Sequence, residues 1–156
     1  MTVQTTGDRT DPVEGRVLVV EDNEINRTVI VRMLKKLGYE CDVAHDGREG
    51  LETWRAHGHN LIMMDCEMPV MSGYEAATAI RAEQGEEGGP LIVATTAYVS
   101  NEHRDRCVAA GMDVFVAKPV TLAKLREALT RCEALAAERA AGGGKETDSS
   151  FGLVAS

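Results

Sequence analysis

Four widely separated positions carry side chains able to do chemistry together: Glu21-Asp22, Asp65, the pair Thr95-Thr96, and Lys118. Each lies at the end of a short apolar run, namely Val17–Val20, Leu61–Met64, Leu91–Ala94 and Val114–Ala117. Three acids, a hydroxyl and an ammonium, if gathered, suit phosphoryl transfer to a carboxylate. Clustered acids repel one another, so the pocket would favour a hard divalent cation with oxygen ligands, and Mg²⁺ is the natural choice. That ion and Lys118 would neutralise charge on the transferring phosphoryl oxygens. Asp65 would be the nucleophile that becomes an acyl phosphate. A threonine hydroxyl would donate to a phosphoryl oxygen and move toward it. Taken singly, each residue has a plainer role: Glu21-Asp22 compensating a helix N-terminus, Asp65 capping a turn, Lys118 a solvated strand end.

Whether these residues meet depends on the elements that carry them. Continuous apolar runs of four or five residues predict strands covered on both faces. Between them come amphipathic segments. Ile25, Val29, Met33 and Leu37 recur every fourth residue with Ile30 and Leu34 beside them, predicting one buried face of a first helix, with Asn23 as N-cap and Gly38 as terminator. Cys41–Ala44 is a weaker strand suited to a sheet edge, and Asp46-Gly47 turns into a second helix carrying Leu51 and Trp54 and ending near Gly58. Ser72 caps a third helix facing Tyr74, Ala77 and Ile80 inward, and Gln84–Gly89 is a surface loop. A short helix over 101–110 follows Ser100 and closes at Gly111. The last helix starts near Thr121, buries Leu122, Leu125, Leu129, Cys132 and Leu135, and runs on through Ala136, Ala137 and Ala140 to the glycines at 142–144. Strand then helix, five times, predicts an α/β fold. It is a flavodoxin-like doubly wound sheet of five parallel strands, order 2-1-3-4-5, with five helices. All carboxyl strand ends then share one edge, where Glu21, Asp22, Asp65, Thr95 or Thr96, and Lys118 become neighbours.

These motifs resemble the receiver domain of two-component response regulators. The resemblance rests on Val17–Asp22 with Asn23, on Met64–Gly73, on Thr96-Ala97 and on Phe115–Pro119, and covers roughly residues 15–137. It implies that Asp65 accepts a phosphoryl group from a histidine kinase or a histidine phosphotransfer domain. It implies Asp22 and Asp65 as direct Mg²⁺ ligands, Glu67 through its backbone carbonyl, and Glu21 largely through water. Thr96, directly before the small Ala97, matches the switch hydroxyl, with Thr95 the alternate. Phe115 matches the aromatic switch position. The run Glu67–Gly73, with Asn23 and Asn26 early in the first helix, is most similar to receivers of hybrid histidine kinases. Glu67 departs from the Gln or Asn that many of these carry. Tyr98 is a second departure, expected to cover part of the pocket and slow hydrolysis.

The totals agree with a small intracellular switch. The 156 residues fit one domain over 15–141, with disordered tails at 1–14 and 142–156. A net charge of −8 argues against an extended nucleic-acid surface, and no apolar stretch is long enough for a membrane span. The cysteines are scattered without metal-ligand spacing, so reduced thiols in the cytoplasm are expected, with Cys66 a small buried residue. His103 reads as a solvated surface residue, and His45, His57 and His59 share no motif. No output domain is expected after the glycines, so output would be by contact with a downstream protein partner or by passing the phosphoryl group on. The enzyme rival is an aspartate-nucleophile phosphohydrolase of haloacid dehalogenase type. It would need a second, general-acid Asp two residues after the nucleophile, where this chain has Glu67, and a cap domain. A flavin carrier would need a phosphate cradle where Glu21-Asp22 repels phosphate. A receiver that signals without phosphorylation is the third alternative.

Overall fold

The computed structural model describes residues 16–85, 88–141 and 152–154. Strands β1 (Arg16–Val20), β2 (Glu40–Ala44), β3 (Leu61–Asp65), β4 (Leu91–Thr96) and β5 (Val114–Ala117) alternate with helices α1 (Glu24–Lys36), α2 (Gly47–His57), α3 (Gly73–Gln84), α4 (Asn101–Ala110) and α5 (Leu122–Ala140). Every strand pairing is parallel, and the five strands take the predicted order 2-1-3-4-5. A sixth strand, β6 (Gly152–Val154), pairs with β5 in the register Phe115↔Leu153. Within the tail expected to be disordered at 142–156, residues 152–154 are thus a strand. Without β6, the edge of β5 would present a row of unpaired backbone groups, and three residues of the tail cover it. The rest of that tail, and the expected tail at 1–14, lie outside the described residues.

Alternation along the buried strands divides the core in two. Val17, Val19, Leu61, Met63, Val93, Val114 and Val116 face Ile30 and Leu34 of α1 and Leu125, Leu129, Cys132 and Leu135 of α5. Leu18, Val20, Ile62, Met64, Ile92, Ala94 and Phe115 face Leu51 of α2, Tyr74, Ala77 and Ile80 of α3, and Cys107 and Ala110 of α4. The helices therefore cover both faces, as continuous apolar strands require.

The caps fall at Asn23, Asp46, Ser72, Ser100 and Thr121, each accepting a bond from a backbone N–H in the first helical turn. Ser72 and Glu75 form a reciprocal capping box. One predicted face needs correction. Ile25 is 74% exposed and Val29 40% exposed, while Ile30 and Leu34 carry the burial of α1. A strict every-fourth-residue row rotates about 40° per step around a 3.6-residue helix, so Ile25 and Val29 swing away from the sheet that Leu37 meets. Leu122, expected inside the last helix's stripe, is only half-buried.

Candidate functional site

The sheet ladder continues one residue past the strands and aims the functional side chains. Glu21 N–H donates to Ala44 O at 3.1 Å, Cys66 N–H to Thr95 O at 2.9 Å, and Lys118 N–H to Thr96 O at 2.8 Å. Glu21, Asp65 and Lys118 are thus fixed by backbone pairing. Behind Asp65 the chain turns through Pro69 and Val70, whose φ of 69° is unusual for a β-branched residue, into α3. Gly73 N–H donates to Cys66 O at 3.0 Å, and a Cβ on Gly73 would collide with Asp65 O. Only glycine lets the helix start so close to the acid.

Carboxylate oxygens of Glu21, Asp22 and Asp65 lie within 4.8 Å of one another, Glu21 and Asp65 buried and Asp22 exposed. Lys118 Nζ sits 3.1 Å from Asp65 Oδ1 and 3.4 Å from Glu21 Oε1. Asp65 Oδ1 also accepts from Glu67 N–H at 3.2 Å. Burial, and then the negative Glu21, push the Asp65 carboxyl up to about 7, with Lys118 opposing them. Burial alone would lower Lys118, but Asp65 and Glu21 outweigh it and leave the ammonium raised.

The donor set fits a divalent cation. Among the described residues, buried Glu21 Oε1 accepts no hydrogen bond and faces the Lys118 ammonium at 3.4 Å. Such an orphaned anionic oxygen is costly unless a cation is supplied. The side chain of Glu67 stands outside this cluster. Its carboxylate accepts from Thr96 Oγ1 at 3.0 and 3.1 Å, and the Tyr74 hydroxyl approaches it at 3.5 Å. Thr96 Oγ1 in turn accepts from Tyr98 N–H at 3.0 Å. Phe115 is fully buried beneath this corner, in the same cluster as Ala94 and Cys107.

Glu21, Asp22, Asp65, Thr96 and Lys118 therefore converge on one edge, as predicted. Two other expectations change. Tyr98 does not cover the pocket; it is 54% exposed and stacks on His103, with ring centroids 5.1 Å apart. His103 is half-buried by that contact and bonds Ser100 Oγ through Nδ1 at 2.7 Å. Sequence reasoning missed two pairings: Glu67 with Thr96, and Cys66 with Cys107, whose sulfurs are 3.7 Å apart. Each joins residues far apart in the chain with no motif between them.

Residues 17–130 match the response regulator receiver domain family. The chain belongs to that family. It is 41% identical over 124 residues to hybrid signal transduction histidine kinase F of Dictyostelium discoideum, covering 78% of this chain and 11% of the kinase. Across eight such curated relatives, the chain spans between 4% and 15% of their length. Among solved structures, it is 38% identical to the receiver domain of sensor histidine kinase PA1611 from Pseudomonas aeruginosa PAO1, which has a magnesium ion coordinated in the active site cleft. The TM-score is 0.69, with 77% of this chain and 98% of that one covered. It is 31% identical to the receiver domain of Ssk1 of Saccharomyces cerevisiae, crystallised with the histidine phosphotransfer protein Ypd1. There the TM-score is 0.72, with 83% of this chain and 94% of that one covered. Receiver domains are the phosphoacceptor modules of two-component phosphorelays. The family match therefore sets aside the phosphohydrolase and flavin-carrier alternatives. Among the described residues, no helix is long and apolar enough to cross a membrane.

Proposed function

We propose that this receiver accepts a phosphoryl group from a phosphohistidine onto Asp65 and uses it to switch a protein-interaction surface in a cytoplasmic phosphorelay. The observation that carries this reading is the meeting of Glu21, Asp22 and Asp65 with Lys118 at 3.1 Å from Asp65. In the transfer, the bond from phosphorus to the histidine nitrogen breaks as the bond to an Asp65 oxygen forms. Glu21, Asp22, Asp65 and the Glu67 backbone carbonyl would hold Mg²⁺, which when bound supplies positive charge to the phosphoryl oxygens. Lys118 orients Asp65 and neutralises further charge. Thr96 gives up Glu67 and donates to the phosphoryl oxygen. Phe115 then turns into the space Thr96 vacates, which alters the surface of α4, β5 and α5. The domain accelerates its own phosphorylation and dephosphorylation and turns over no separate substrate.

The donor's docking place follows from the surface beside Asp65. A groove of about 380 Å³ opens beside Glu21 and Lys118, lined by Asn26, Val29, Ile30, Pro119 and Val120. With Ile25 exposed on the same helix, it offers apolar contact at the mouth of the site. A helix of a histidine kinase or histidine phosphotransfer domain seated there would bring its phosphohistidine to Asp65.

The test is incubation with acetyl phosphate and Mg²⁺, comparing the wild type with Asp65→Asn by intact mass. One phosphoryl group on the wild type and none on the variant is expected. Labelling that survives the substitution overturns the role of Asp65, and a wild type that never labels brings forward signalling without phosphorylation.

A further inference from the structure

Directly behind the acid cluster lies a pair of nucleophilic side chains that the phosphoryl reaction does not use. Cys66 follows Asp65, Cys107 comes from α4, and both are fully buried with sulfurs 3.7 Å apart. The two differ in how firmly they are held. The backbone of Cys66 is fixed on both sides, its N–H donating to Thr95 O and its carbonyl accepting from Gly73 N–H. Cys107 rides on α4, whose buried residues are only Cys107 and Ala110. A disulfide needs a separation of about 2.05 Å, so the sulfurs must close by roughly 1.7 Å. A helix seated by two small side chains can make that shift, whereas the paired backbone at Cys66 cannot.

We propose that Cys66 and Cys107 are a site of oxidative modification, joined into an intramolecular disulfide by hydrogen peroxide. The Cys107 sulfur attacks one peroxide oxygen, the O–O bond breaks, and the departing hydroxide takes up the thiol proton as water, leaving a sulfenic acid. The Cys66 sulfur then attacks the Cys107 sulfur. The S–S bond forms, the S–O bond breaks, and the second hydroxide leaves as water with the Cys66 proton. Two thiols and one peroxide give a disulfide and two waters; the sulfurs lose two electrons and the peroxide oxygens gain them. The hydrogen bond from Cys66, acting against the cost of burial and helped less by Tyr74 and Arg106, lowers the Cys107 thiol below its ordinary value, which favours Cys107 as the first attacker. Peroxide reaches the pair when α4 opens locally. The product ties α4 to the end of β3, one residue from Asp65. Its effect on signalling rests on the proposed role of Asp65; its formation does not.

The experiment treats the full chain with hydrogen peroxide, then counts free thiols in denaturant and maps cross-linked peptides by mass spectrometry. Two of the four cysteines are expected to be lost, recovered by dithiothreitol, in a peptide joining Cys66 to Cys107, with Cys41 and Cys132 still free. Amide exchange in α4 should slow by about tenfold or more in the oxidised protein. Cys107→Ala should abolish the cross-link. Four free thiols after peroxide, sulfinic acid at either residue, or a cross-link through Cys41, Cys132 or a second chain would each overturn the proposal. Acetyl phosphate labelling of the reduced protein is run beside it. Its failure sinks the Asp65 reading alone, and a missing cross-link sinks the disulfide alone.

Discussion

Removing the Glu67 side chain should make the phosphorylated state easier to reach. In the resting protein, the fully buried Thr96 hydroxyl donates its one proton to Glu67, at 3.0 and 3.1 Å from the two carboxylate oxygens. The same proton is what a phosphoryl oxygen on Asp65 would require, so the Glu67 bond must break before the switch completes. A hydrogen bond to a charged acceptor is worth about 1.5–3 kcal/mol, and screening at the half-exposed Glu67 reduces this to about 1 kcal/mol. That figure corresponds to about a fivefold change in the switching equilibrium. Loss of the carboxylate also removes repulsion of the incoming anion, which acts in the same direction. It weakens attraction of Mg²⁺, which acts against it and is suppressed at saturating metal.

The assay is calorimetric titration of beryllofluoride, a phosphoryl mimic, at saturating Mg²⁺. Glu67→Ala should bind about fivefold tighter than wild type, and Glu67→Gln, which keeps an acceptor but loses the charge, about twofold tighter. The gain from Glu67→Ala should shrink when Thr96 is also changed to Ala, because the broken contact is then already absent. Equal affinities, or a gain that persists undiminished in the Thr96→Ala background, would refute the competition.

Three further outcomes follow from other contacts. Without metal, Asp65 titrates at about 7 when folded, above the ordinary carboxylate value of 3.8. The native state therefore retains a proton that the unfolded chain has released, so stability should fall as pH rises from about 4 through 7; Asp65→Asn should flatten that slope in thermal melts, and parallel slopes would count against the buried repulsion. Asp42 shows the opposite sign. The Arg16 guanidinium, and His59 against the cost of burial, hold its carboxyl down to about 2. Its contribution is present above about 3.8 and lost as pH falls through about 2; after solvent screening it amounts to about 1 kcal/mol, to be read as the acid-limb difference between wild type and Asp42→Asn. Finally, Val29→Glu in the groove beside Lys118 should slow transfer from a phosphohistidine donor by about tenfold or more while leaving acetyl phosphate labelling unchanged. Equal slowing of both would place Val29 outside the docking surface.

The strands and the site edge were readable because each depends on short-range pattern. Apolar runs such as Val17–Val20 end where a charged or hydroxyl residue begins, and parallel topology then brings those ends together. Caps at Asn23, Ser72, Ser100 and Thr121 announce themselves through their own side chains. What stayed hidden depends on side-chain direction across elements. Glu67 lies in an irregular loop with no period to say that its carboxylate turns to Thr96 and not to the acid cluster. His59 and Asp42 meet at 2.8 Å only because β2 and the start of β3 flank β1, and neither belongs to a motif. Tyr98 looked like a pocket lid from its distance to Thr96, but stacking on His103 draws it to the surface. β6 escaped because three residues beyond a glycine run carry too little pattern to announce a strand.

The uneven seating of the helices explains why a small change at Thr96 should be felt mainly at α4. The α1 and α5 face is filled by large aliphatic side chains from both helices, including Ile30, Leu34, Leu125 and Leu135. Displacing either helix would open cavities costing several kcal/mol. On the opposite face, α4 contributes only Cys107 and Ala110, and its first turn hangs on the Ser100 cap and the Tyr98–His103 stack. Thr96 is joined to that stack by one bond, since its hydroxyl accepts from Tyr98 N–H. A hydroxyl pulled toward Asp65 therefore tugs on the residue that steadies α4, against a helix with little buried surface to resist. The firmly packed face holds Asp65 and Lys118 in register while the lightly packed one responds. A coupling of about 1 kcal/mol, the size of the Glu67–Thr96 contact, is enough to shift such a helix and too small to disturb the rest of the sheet.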